Sequence, residues 1–143
     1  MKAPLYRAWR FVHPDFDIEE NFPGIRVSST GGIEMVSGQD AVRQSIMLLL
    51  TTSPGERVMR PDYGCDLQRL VFSPNDATTH GLAIYYIRRA LQRWEPRIEI
   101  LRLDAGANEK DPGCMDIVLE YRMRKTAHRE NMVFSVPLTE EVR

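Results

Sequence analysis

Apolar positions along the chain fall first at helical spacing and later at strand spacing, and the change divides it. Val42, Ser45, Ile46 and Leu49 lie on one helical stripe, while Arg43 and Gln44 face away. Ser37 with Asp40 three residues on is a loose capping box that predicts the helix start. Thr51-Thr52-Ser53-Pro54-Gly55 predicts its stop. The run Ile46-Met47-Leu48-Leu49-Leu50 is apolar nearly all round, which predicts burial on more than one side. A longer helix is expected after Ser73-Pro74-Asn75-Asp76. There Leu82, Tyr86, Ala90 and Trp94 recur at four-residue intervals beside Ala83, Ile87 and Leu91, with Arg88, Arg89, Gln92 and Arg93 on the other side. Glu95 is its last allowed residue, because Pro96 disfavours helix in the residue before it. Between the two helices, residues 56–64 read as a connector and 66–71 as one or two helical turns.

Beyond Pro96 the pattern is that of strands. Ile98, Ile100, Leu101 and Leu103 alternate until the register slips between Ile100 and Leu101, which predicts a bulge or burial on both faces. Met115, Ile117, Leu119, Tyr121 and Met123 alternate with polar or smaller residues, as in a half-buried strand. Met132, Phe134, Val136 and Leu138 repeat that pattern after a charged loop, so an antiparallel hairpin is expected. Pro137 cannot donate to a ladder, so the last strand is expected to lie on an edge or to end there. The fold class is therefore α+β, two main helices on a small mixed or antiparallel sheet with a C-terminal β-hairpin. Residues 1–31 read as an irregular arm, punctuated by Pro14, Pro23 and a Gly-Ser-rich stretch, and residues 32–143 as one domain. A short strand is expected at 33–36. The arm's Tyr6, Trp9, Phe11, Phe16 and Phe22 either pin it to the core or await a neighbour.

Composition narrows the function classes. The 143 residues carry a net charge of −1, which gives no global attraction to nucleic acid or anionic membranes. Cys65 and Cys114 are distant and in no C-x-x-C pair, so they are expected to be thiols in a reducing compartment. His13, His80 and His128 lack ligand spacing, so no metal is expected. Arg7 and Arg10 interrupt any signal-peptide core, and the longest apolar run is too short to span a bilayer. No nucleophile elbow, zinc-protease helix or phosphate loop is present. Glu56, Asp62, Asp66 and Glu95 are nominal carboxylates for glycoside hydrolysis, yet each also reads as a turn former, a helix-start charge or a solvated residue. Arg88, Arg89 and Arg93 form a positive strip, extended by Arg97 and Arg102. It is either a solvated, ion-paired face or a surface for an acidic partner. Glu95-Pro96-Arg97 sets a carboxylate and a guanidinium about a rigid proline, which reads as a local salt bridge or as a presented contact.

The run Gly32-Ile33-Glu34-Met35-Val36-Ser37-Gly38, the segment 46–50, the stretch Ser53-Pro54-Gly55-Glu56-Arg57-Val58-Met59-Arg60-Pro61-Asp62-Tyr63-Gly64-Cys65, Leu70-Val71-Phe72 and Trp94-Glu95-Pro96-Arg97-Ile98 carry a resemblance. Together they resemble the baseplate wedge, or sheath-initiator, family of contractile phage tails. That family also supplies a baseplate component of type VI secretion systems and often bears a tail-lysozyme-like label. The resemblance covers residues 32–104 and, more loosely, the final hairpin, but not the arm.

It implies a structural subunit with no cofactor. Glu95, Pro96 and Arg97, with Arg93 beside them, would dock onto a helical core bundle of other wedge proteins. The strands at 115–124 and 132–138, with Met132, Phe134 and Val136, would template the sheath protein by strand addition. The implied partners are wedge and sheath proteins, without nucleic acid, membrane or small-molecule substrate. Assembly is expected in the bacterial cytoplasm, followed by residence in a tail baseplate or related particle. A tail-associated peptidoglycan hydrolase and a regulatory adaptor of the same fold stay as alternatives.

Overall fold

The computed structural model describes residues 7–9, 11–12, 24–25 and 35–139. Two compact units divide the chain, residues 1–47 and 48–143. In the first unit β1 (Arg7–Trp9) pairs antiparallel with β4 (Met35–Ser37), and β2 (Phe11–Val12) with β3 (Gly24–Ile25). Tyr6, Phe16 and Phe22, named above as candidate contacts, lie outside the described residues, as do the side chains of Trp9 and Phe11.

Helix α1 runs Gln39–Thr51. The Gly38 carbonyl accepts its first bond, from the Val42 N–H at 3.3 Å. Ala41, Val42, Ile46, Leu49 and Leu50 are buried, the wide apolar face that the sequence anticipates. The helix ends where Thr52 turns its hydroxyl back to donate to the Leu48 carbonyl at 2.6 Å, satisfying a terminal acceptor.

The second unit holds the functional geometry. A short 3-10 turn, Asp66–Leu70, buries Leu67 and Leu70. Phe72 follows in the left-handed region at φ 69°, and its N–H donates to the Leu138 carbonyl. Helix α2 spans Ala77–Trp94. Its N-cap is Asp76, whose carboxylate accepts from the Thr79 N–H at 3.0 Å. That bond, ahead of weaker attractions such as the one to His80, holds the Asp76 carboxyl below its ordinary value.

The buried stripe of α2 is Thr79, Ala83, Ile87, Ala90 and Leu91, packed on the first strand of the sheet. Leu82 and Tyr85 stand exposed. The four-residue series from Leu82 thus runs along the margin of the buried face, and the line from Ala83 marks its centre.

The sheet is antiparallel, in the order β5 (Ile98–Ala107), β6 (Cys114–Met123), β7 (Arg129–Pro137). Register between β5 and β6 slips between Ile100 and Arg102, leaving Leu101 as the extra, exposed residue. This is the bulge that the broken alternation anticipates. Met115, Ile117, Leu119, Tyr121 and Met123 on the central strand are all buried, joined by Met132, Phe134 and Leu138. Each fully buried aliphatic side chain contributes roughly 1.5–3 kcal/mol, so this face is the main source of the unit's stability. The opposite face is polar, with Arg122 ion-paired to Glu99 across the β5–β6 register and Asp116 accepting from Asn108 and Ser135. The architecture is α+β with a C-terminal hairpin and β7 at the sheet edge.

Candidate functional site

The end of α2, the start of β5 and the loop at residues 52–65 meet at one corner. Helix α2 closes when the Glu95 N–H donates to the Leu91 carbonyl at 2.9 Å, and Pro96 then forbids another turn. Glu95 leaves the helical conformation, at φ −129° and ψ 70°, and its side chain is buried. Its carboxylate is only 2% exposed and accepts two bonds from the Arg97 fork, from Nε at 2.6 Å and Nη2 at 2.8 Å. Arg97 itself is 31% exposed, so the pair runs from interior to surface. Arg124, just past the end of β6 and beside the start of β5, fastens the corner. Its backbone N–H donates to the Arg97 carbonyl at 3.0 Å and its Nε to the Pro96 carbonyl at 3.1 Å.

The structure therefore supplies the local salt bridge that the sequence left open. It also shows what the corner presents: Pro96 and Arg93 are exposed and Arg97 half-buried, while Glu95 holds Arg97 from within. Met132 and Phe134 face the core and Val136 is partly covered, so β7 offers the outside its edge position and outward residues such as Val133.

The connector read at 56–64 is a built loop. Its base closes through the Cys65 N–H donating to the Thr52 carbonyl at 2.8 Å, and its waist through Gly55 N–H to the Pro61 carbonyl at 2.7 Å. Gly64 sits at φ +140°, where a Cβ would lie 2.5 Å from the Thr52 oxygen, so only glycine allows that closure. Burial pushes the Cys65 thiol up to about 12, so it behaves as a small apolar side chain under the loop.

Tyr63 packs edge-on against Trp94 with centroids 5.4 Å apart. Arg57 lies 4.3 Å over the Tyr63 ring, and Arg93 and Arg60 lie 4.9 and 5.9 Å from the Trp94 ring. Burial raises the Tyr63 phenol; the Arg57 charge opposes the shift and the Glu95 charge adds to it. Three arginines and two rings thus brace the loop tip, where Val58 and Met59 are 95% and 88% exposed. Sequence reasoning passed over this tip because an apolar pair in a connector carries no period. The signal available was its placement between two arginines, followed by Pro61 and Gly64.

Three of the nominal hydrolase carboxylates are taken up in ion pairs. Asp62 pairs with Arg93 at 3.5 Å, Asp66 with Arg69 at 3.5 Å and Glu95 with Arg97, while Glu56 is exposed. Among the described residues no group of three His, Cys, Asp or Glu side chains is placed to hold a metal ion.

The sequence profile of one family, described as baseplate wedge protein gp25, matches residues 36–128, well over half of the chain. The chain belongs to that family. The matched span takes in the loop, the corner, β5 and β6 but stops short of β7. The baseplate wedge protein gp25 of Enterobacteria phage T4 is 26% identical over 82 residues, which is 57% of this chain and 62% of that protein. The chain thus spans less than two thirds of the length of that gp25 relative. A crystal structure from Geobacter sulfurreducens, provisionally assigned as a tail lysozyme, is 42% identical. It superposes with a TM-score of 0.68 over 75% of this chain and 96% of its own. A chain of the anti-feeding prophage baseplate shares the fold at 20% identity, with a TM-score of 0.60 over 92% of this chain and 85% of that one. The gp25-family fold is thus the frame that carries the braced loop and the clamped corner. Among the described residues no helix is long and apolar enough to cross a membrane.

Proposed function

We propose that this chain is a structural baseplate subunit of a contractile injection machine, docking on wedge core proteins and initiating sheath assembly. The observation that carries the docking role is the corner at Glu95, Pro96 and Arg97. The Arg97 guanidinium is held by a buried carboxylate, and Arg124 holds the backbone carbonyls of Pro96 and Arg97, so the half-buried Arg97 is fixed in place beside the exposed Arg93 and Pro96. Such preorganisation lowers the ordering cost of association. The hairpin supports the second role. Its last strand lies at the sheet edge, where another subunit's strand can be added, and Met132, Phe134 and Val136 act by fixing that strand's register from the core side. Residues 32–143 form the wedge-like domain in this reading and 1–31 an arm. Assembly takes place in the bacterial cytoplasm before the particle is complete.

The work is mechanical placement rather than catalysis. Three of the four nominal carboxylates are engaged with arginines, an arrangement suited to rigid turns. The test is electron microscopy of particles from a strain lacking this gene, beside its parent. Bare tubes or free baseplate fragments without sheath are expected. Complete sheathed tails that adsorb yet fail to breach the cell wall would overturn the proposal in favour of a peptidoglycan hydrolase.

A further inference from the structure

We infer that the tip of the braced loop, Val58 and Met59, is a docking knob for an acidic-rimmed apolar pocket on another protein subunit. Two adjacent large side chains exposed at 95% and 88% are a poor arrangement for an isolated chain. The loop that carries them is not slack, since it is closed at Thr52–Cys65 and Gly55–Pro61 and stacked through Arg57, Tyr63, Trp94 and Arg60. A knob held in place before contact loses little freedom on burial.

The charge around the tip selects the occupant. Arg57 and Arg60 flank it on rings and, among the described residues, no carboxylate lies within ion-pair distance of either. Arg93 continues the positive run and Arg89 follows one helical turn earlier on the same face. Among the described residues Arg89 likewise has no ion-pair partner, and only Arg93 has one, at 3.5 Å to Asp62. An apolar tip ringed by guanidinium groups fits a pocket lined by aliphatic or aromatic residues and edged by Asp or Glu. A lipid surface fits less well, because two apolar side chains with a few arginines fall below what stable membrane anchoring takes.

This inference deepens the docking reading by naming the partner's chemistry, but it concerns the loop and not the Glu95–Arg97 pair. The test places a benzophenone amino acid at position 59 of the full chain, expressed with the other particle genes. Particles are irradiated and the crosslinked peptides sequenced. A crosslink to one peptide of another baseplate subunit, apolar with neighbouring Asp or Glu, is expected. Val58→Ser/Met59→Ser should unfold at the parent's temperature yet enter particles about tenfold less, a loss typical of an interface hot spot. Arg57→Glu/Arg60→Glu should lose incorporation likewise.

A crosslink only to a second copy of this chain would overturn the inference. So would flotation with phosphatidylglycerol vesicles that Val58→Ser/Met59→Ser abolishes, or normal incorporation of that variant. Arg97→Ala, run in parallel, separates the two readings. Normal entry of Arg97→Ala with failure of the loop variant removes the corner's role and leaves the knob, and the reverse removes the knob alone.

Discussion

A carboxylate 2% exposed is costly unless a partner answers its charge, and Arg97 answers that of Glu95 with both arms of its fork. Truncating one member of a fully buried pair costs roughly 3–5 kcal/mol, but water reaches Arg97, so Arg97→Ala should cost about 1–3 kcal/mol. Urea unfolding of Arg97→Ala, Glu95→Ala and the double variant measures this. The double variant is expected to be more stable than the sum of the singles implies, because removing both charges leaves neither stranded. Strict additivity would show that the two side chains act independently. Arg97→Lys should recover the charge but not the bidentate geometry, and so only part of the loss. The same residue therefore serves the chain's own stability and its presented surface, and any docking defect must be read against the unfolding curve.

At the scale of elements, the N-cap of α2 makes stability respond to acid. Hydrogen bonding from Thr79 lowers the Asp76 carboxyl below its ordinary 3.8, so the folded state favours the ionised form. That contribution is complete above the unfolded value and is lost as pH falls through the lower folded value. Asp76→Asn keeps an acceptor at the cap but does not titrate. The parent is expected to melt higher than Asp76→Asn near neutrality, and the gap should close as pH drops below about 4. A gap that stays constant would assign the cap's effect to shape alone.

Elements of this kind were largely legible in the sequence, because each rests on local chemistry. Pro96 stops α2, Asp76 starts it, the slip at Leu101 marks the bulge and Pro137 closes the edge strand. What stayed hidden depends on distant neighbours. Leu82 and Tyr85 lie at helical spacing yet point to water, and Val58 and Met59 read as ordinary apolar residues until the loop lifts them clear. The fastening of the Glu-Pro-Arg corner by Arg124 is likewise absent from the string itself, since it comes from the end of the neighbouring strand.

For the molecule as a whole, stability concentrates in the sheet of the second unit. Strand β6 is hydrogen-bonded on both sides, and its inward residues Ile117, Leu119 and Tyr121 are completely buried. Amide hydrogen exchange should be slowest there, opening only with global unfolding, while the exposed tip at Val58 and Met59 exchanges within the fastest class. Uniform exchange across the second unit would contradict a sheet-centred core. Leu138 sets how this body bears load. Its N–H donates to the Gly113 carbonyl at 2.8 Å, its carbonyl accepts from Phe72, and its side chain is buried. A pull on the chain just beyond that point meets all three attachments before it reaches the β6–β7 ladder. The last strand is thus riveted at its outer end, and under the function proposed above, tension applied there would be spread into the body instead of unzipping its edge.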